Sequence, residues 1–127
     1  MVMNTPTLFI FGTDSDVVNI CAYALKLSGY TVQVMPDLVT LHADCLTQSP
    51  DLVLLQHDGL VQGSATVALY HALRMDEHTV ALPIIIIRCE RLDAQQQYVR
   101  ALDPAFAIFP IVFSIEELRA TVARLLA

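Results

Sequence analysis

The stretch Asp51-Leu52-Val53-Leu54-Leu55, entered through Ser49-Pro50 and left at Gln56, decides the fold. Its apolar residues follow one another without polar alternation. A strand with one wet face alternates at period two, so a continuous run needs cover on both faces. Leu8-Phe9-Ile10-Phe11, ending at Gly12, has the same character. So does Ile84-Ile85-Ile86-Ile87 after Pro83, four β-branched residues in a row. Thr31 to Met35 alternates and reads as a second strand, and Ala105 to Ile108 as a short fifth.

Helix-period segments lie between these strands. Ser15 to Ser28 places Val17, Cys21, Ala24 and Leu25 near one stripe, with Thr13, Asp14 or Ser15 as its cap and Gly29 as its stop. Pro36-Asp37 opens a helix to about Gln48, with Leu38, Leu41 and Cys45 inward. Gln56 to Gly63 reads as a polar loop with two glycines. A helix follows from Ser64 to about Asp76, with Val67, Tyr70, His71 and Met75 near one stripe. Glu90 to Asp103 is a weaker helix, apolar only at Leu92, Val99 and Leu102. Ser114 and Glu117 form a capping box for a last helix with Ile115, Leu118, Val122 and Leu125 inward. Five strand–helix units in strict alternation predict a doubly wound α/β fold, a parallel sheet between two helical layers. No composition break divides the chain, so residues 1–127 read as one domain.

Composition narrows the function. The 127 residues are 55% hydrophobic and only 16% charged, with a mean hydropathy of +0.55. The formal net charge of −6 argues against nucleic acid or an anionic membrane surface as partner. Three cysteines are too few and too dispersed for a disulfide framework, which points to a reducing cytoplasm. Met1 to Thr7 carries no basic residue, so it does not read as a secretory signal. The longest nearly apolar run, Ala105 to Phe113, is nine residues with Pro110 inside. A membrane span needs about 20.

From about Thr7 to Ala127 the order of features resembles the receiver domain of bacterial response regulators. The resemblance rests on Ser49-Pro50-Asp51 before the third strand, Gly29-Tyr30 after the first helix, Leu82-Pro83 before the isoleucines, and Phe109-Pro110 after the fifth strand. It implies a flavodoxin-like doubly wound (βα)5 three-layer sandwich, with a five-stranded parallel sheet of order 2-1-3-4-5. It also implies a site at the C-terminal edge of the sheet, built on five positions.

This chain departs from the family pattern at all five. Gln56 stands where the phosphoacceptor aspartate closes the third strand. Counting back from Gly29 places Gly12 and Thr13 at the acidic pair that holds Mg²⁺. Arg88 takes the Ser or Thr position after the fourth strand, and Phe109 the lysine position before Pro110. An amide is no nucleophile for phosphoryl transfer, and Gly-Thr offers a hard cation at most one neutral hydroxyl. Arg88 is expected to fill the former phosphate space and to bond an acid there. The family's fifth-strand aromatic, which rotates with phosphate state, corresponds to Phe106, and the Phe109-Pro110 bond to one that is often cis.

The other candidates are weaker. Asp14, Asp16 and Asp58 offer oxygen ligands for a shifted metal site or, more plainly, caps and loop charges. Gly12 to Asp16 faintly resembles a phosphate loop, but has one glycine and two repelling aspartates. Cys89 sits between Arg88 and Arg91 near a helix start, which favours its thiolate. His42, His57, His71 and His78 show no ligand spacing. Phe109, Ile111, Val112 and Phe113 come where the chain should meet water, so Phe106, Phe109, Ile111 and Phe113 are expected to form a contact surface. The resulting expectation is a phosphorylation-independent receiver domain, non-enzymatic and without cofactor, acting through protein contact in the cytoplasm. The face of the fourth predicted helix, fifth strand and fifth predicted helix would serve a homodimer. The alternatives are a small-ligand or nucleotide-binding domain on the same fold, and a receiver module of a longer output-coupled regulator.

Overall fold

The computed structural model describes residues 5–57, 59–88, 104–110 and 114–127, those at 57, 59–64, 88, 108 and 110 by their backbone. The strands are β1 (Thr7–Gly12), β2 (Thr31–Val34), β3 (Leu52–His57), β4 (Ile84–Arg88) and β5 (Phe106–Pro110). The helices are α1 (Ser15–Leu27), α2 (Leu38–Gln48), α3 (Gly59–Met75) and α4 (Ile115–Leu126). The sheet is parallel throughout, in the order β2-β1-β3-β4-β5. This is the flavodoxin-like arrangement expected from the sequence. The helix expected at Glu90 to Asp103 lies outside the described residues.

The unbroken apolar runs have a direct explanation. Successive side chains of a strand point to opposite faces, and here both faces are core. Phe9, Val53, Leu55, Ile84 and Ile86 pack with Leu41 and Cys45 of α2 and Leu69, Tyr70 and Leu73 of α3. Leu8, Ile10, Leu52, Leu54, Ile85 and Ile87 pack on the other face with Val18, Cys21 and Leu25 of α1 and Leu118 and Val122 of α4. All four residues Ile84 to Ile87 are fully buried. Burial pushes the Cys21 thiol up to about 11. It pushes Cys45 up to about 12, with the Asp44 charge adding to it.

Local caps fix the helix ends. Asp14 begins α1, its carboxylate accepting from the backbone N–H groups of Asp16 and Val17. Asp37 begins α2, accepting from the Thr40 N–H at 2.7 Å. Ser114 accepts from the Glu117 N–H at 3.2 Å, as the capping box predicts. α1 ends at Gly29, whose φ of 99° suits a residue without Cβ. α2 ends less comfortably at Ser49, left-handed at φ 49°. Asp51 ties the starts of two strands, its carboxylate accepting from the Thr7 N–H at 2.7 Å. Its own N–H donates to the Thr7 carbonyl at 2.8 Å.

Three local expectations need correction. β3 runs through His57 and α3 already begins at Gly59, so the loop expected from Gln56 to Gly63 is mostly strand and helix. The inward stripe of α3 is Thr66, Leu69, Tyr70 and Leu73; His71 is exposed and Met75 is 88% exposed. Thr66, Leu69, Tyr70 and Leu73 recur at three- and four-residue spacing and share one helix face. On α1 the buried stripe is Val18, Cys21, Ala22 and Leu25, with Val17 and Ala24 only half-buried at its margin.

Candidate functional site

In this topology the C-terminal edge of the sheet is the natural place for a site. The strand register there is informative. Gly12 pairs with Gln56, Gln56 with Ile87, and Ile87 with Phe109. One row across four strands thus reads Gly12–Gln56–Ile87–Phe109. Three of the five expected positions fall in it, and every side chain in it is uncharged. Arg88 lies one step further on, paired with His57 and Pro110, and its side chain lies outside the described residues. Thr13 sits exposed in the β1–α1 turn, and it is Gly12 that faces Gln56.

Gln56 is 1% exposed. A buried amide needs partners, and its Oε1 accepts from the Asp14 N–H at 2.8 Å. The same Asp14 uses its carboxylate as the α1 cap and its carbonyl as acceptor for the Val18 N–H at 3.0 Å. Gly12 fits tightly beneath. A Cβ on it would overlap Val18 Cγ2 and lie 2.7 Å from Gln56 Oε1 and 3.1 Å from Gln56 Cβ. No carboxylate side chain enters at Gly12 unless both neighbours move.

The remaining candidates separate. Phe109 is half-buried and packs against the α1/α4 side of the core. Phe106, expected in the contact surface, is 7% exposed and does not offer one. Its ring stacks edge-on against Tyr70 at 4.8 Å, because the inward phase of α3 brings Tyr70 under β5. Ile111, Phe113, Cys89 and Asp58 lie outside the described residues. Asp14 is committed to its cap and Asp16 is exposed. Among the described residues no three His, Cys, Asp or Glu side chains gather as a metal site. No peptide bond among them is cis. A surface cleft of about 500 Å³ lies between the end of α1 and α4, lined by Ser28, Tyr30, Glu116, Arg119, Ala120 and Ala123. Arg119 Nε donates to Ser28 Oγ there at 2.8 Å.

Sequence reasoning missed one further group, at the opposite end of the sheet. Arg74, near the end of α3, donates to the carbonyls of Leu82 at 2.6 Å and Ala105 at 3.2 Å, just ahead of β4 and β5. Its guanidinium also lies over the Tyr70 ring, 5.2 Å from the centroid. Thr79, nearly buried, donates to the Leu73 carbonyl at 2.6 Å. Backbone acceptors leave no residue-type signature, so no pattern announced this cluster.

The chain matches no protein-family model and no curated relative. Solved structures do match it. Chemotaxis protein CheY4 from Vibrio cholerae superposes with a TM-score of 0.79 at 18% identity, covering 96% of this chain and 99% of that one. The signal receiver domain of a signal transduction histidine kinase from Syntrophus aciditrophicus gives 0.78 at 17% identity, covering 96% and 90%. A response regulator protein from Burkholderia multivorans gives 0.74 at 22%, covering 96% and 95%. At these identities the likeness establishes the fold. The structural neighbours of this chain are response-regulator receiver domains, and no helix among the described residues is long and apolar enough to cross a membrane.

Proposed function

We propose that this chain is an atypical receiver domain, a single non-enzymatic signalling unit of the cytoplasm that works by protein contact without aspartyl phosphorylation. The observation that carries this reading is the row Gly12–Gln56–Ile87–Phe109 at the C-terminal edge of a receiver-like sheet. Phosphoryl transfer to this edge needs a carboxylate nucleophile, a divalent cation and a countercharge. At the positions corresponding to those roles stand an amide, a glycine and a phenyl ring. Half-buried Phe109, continuing in sequence toward Ile111 and Phe113, belongs to the proposed contact face. That face serves a protein partner or a second copy of the chain.

The test combines a small-molecule acyl phosphate and Mg²⁺ with affinity capture from the native cell. The protein is expected to gain no phosphoryl mass, and to hold the same partners and the same mass by light scattering with and without the donor. An acyl-phosphate adduct, or a partner retained only after treatment, overturns the reading.

A further inference from the structure

The β1–α1 turn connects a buried strand to a helix at the edge where this fold places its ligands. Three residues on three different supports meet there. Gln56 comes from the end of β3, Gly12 from the end of β1, and Asp14 from the turn itself. Gln56 Oε1 accepts the Asp14 N–H, while the Asp14 carboxylate accepts the N–H groups of Asp16 and Val17. Asp14 thus finds partners inside the chain for its N–H and its carboxylate, one of them across 42 residues of sequence. The fit is also steric, because Gln56 lies so close over Gly12 that a Cβ there would meet its Oε1 at 2.7 Å.

We propose that Gly12, Asp14 and Gln56 form a built-in lock on the β1–α1 turn, in which the Gln56 carboxamide occupies the place a ligand group would need and holds the turn in one conformation with or without a ligand. It rests on the proposed reading of this edge and deepens it from a missing nucleophile to a filled site. Asp14 is the carboxylate of the β1–α1 turn among the described residues. Its Oδ1 already accepts two N–H donors, so a cation on that oxygen would compete with the α1 cap, and one on Gln56 Oε1 would compete with the Asp14 N–H. The lock also makes Gly12 and Gln56 a matched pair. A larger residue at Gly12 demands smaller ones at both Gln56 and Val18.

Amide exchange by NMR tests this on the intact protein, with no phosphodonor or partner present. In the wild type the Asp14 N–H is expected to exchange slowly, although it precedes the first turn of a helix, where cap amides usually meet water. Gln56→Met keeps the volume and removes the acceptor, and Gln56→Asn withdraws the carboxamide by one methylene. Both should speed Asp14 exchange by about tenfold, the effect of one net hydrogen bond, and leave the first turns of α2 and α4 unchanged. Gln56→Glu, an acceptor of the same reach, should restore protection at mildly acid pH. Millimolar Mg²⁺ should leave the wild-type turn resonances in place. Gly12→Ala should destabilise less in a Gln56→Ala, Val18→Ala background than alone, which reads the matched packing even if one single variant folds poorly. An Asp14 amide that exchanges freely in the wild type, or that ignores Gln56→Met, overturns the lock. Such a failure leaves the phosphodonor result untouched, and an acyl-phosphate adduct leaves the exchange result untouched.

Discussion

The two ends of this sheet are held by opposite means. At the C-terminal edge a neutral carboxamide, Gln56, joins β3 to the β1–α1 turn beside a glycine. At the N-terminal edge a guanidinium, Arg74, joins the end of α3 to the segments entering β4 and β5, and a carboxylate, Asp51, joins β1 to β3. In open α/β sheets ligands meet the C-terminal edge of the strands. The charged ties stand at the opposite edge. The row Gly12–Gln56–Ile87–Phe109 at the C-terminal edge carries no charged side chain. The contrast separates ties made by charged side chains from one made by a neutral carboxamide.

Breaking the N-terminal clamp should have the larger effect. Arg74→Met keeps most of the side chain's bulk but leaves the Leu82 and Ala105 carbonyls without their charged donor. Hydrogen bonds to a charged group contribute about 1.5–3 kcal/mol, and the Ala105 carbonyl keeps the Ile84 N–H at 2.8 Å, so the loss falls mainly on the charged bonds themselves. Chemical denaturation should show about 3 kcal/mol less stability, with the C-terminal edge unchanged by the Asp14 exchange rate. Arg74→Lys should recover only part of it. A single ammonium cannot reproduce a planar fork that reaches two carbonyls and lies over Tyr70.

At the other edge, the size of the effect should depend on pH. Gln56→Glu puts a carboxyl at a site 1% exposed, against the Asp14 N–H. Desolvation outweighs that single N–H donor and raises its folded pKa above the unfolded value near 4.3. Below that value both states are protonated, and the variant should match the wild type. As pH rises the unfolded state ionises first, so stability falls until the folded carboxyl ionises too. By pH 7 the difference should reach about 2 kcal/mol. Asp37 titrates in the opposite sense. The Thr40 N–H holds its carboxyl below the usual range, so its stabilisation is present above the unfolded pKa and lost as pH falls. It does so in both proteins and cancels from the difference. A variant equally stable at pH 4 and 7 relative to wild type would mean that this edge tolerates charge, and the contrast between the edges would fail.

What the sequence made legible follows the same division between local and distant causes. Runs such as Leu52 to Leu55 and Ile84 to Ile87 declare two-sided burial by themselves, and Asp14, Asp37 and Ser114 declare helix starts within one turn of their partners. The positions Gly12, Gln56 and Phe109 were legible through the resemblance to receiver domains, which implied the strand order; that they share one row came from the register. The start of α3 was not legible. Gly59 and Gly63 each disfavour helix by about 1 kcal/mol, and the burial of Leu69, Tyr70 and Leu73 further along overrides them. The Gln56–Asp14 and Arg74–Leu82 bonds were equally hidden. They join side chains to backbone groups, across 42 residues in the first case and eight in the second. Phe106 misled for a related reason. Its exposure depends on Tyr70, whose position depends on the phase of α3.

The smallest expected effect lies at the entry to β3. Ser49 ends α2 in the left-handed region at φ 49° and ψ 67°. A Cβ there meets the following carbonyl, which disfavours the conformation by about 1 kcal/mol. Glycine adopts it without that clash but loses more entropy on folding, which offsets part of the gain. Ser49→Gly should therefore stabilise the protein by about 0.5 kcal/mol, a rise in midpoint visible by differential scanning calorimetry. Pro50 and Asp51 follow directly, and Asp51 carries the β1–β3 tie, so relief at Ser49 should strengthen the N-terminal edge alone. Asp14 exchange at the far edge should stay at its wild-type rate. If it slows in step with the midpoint, the two edges open together, and what holds one holds the other.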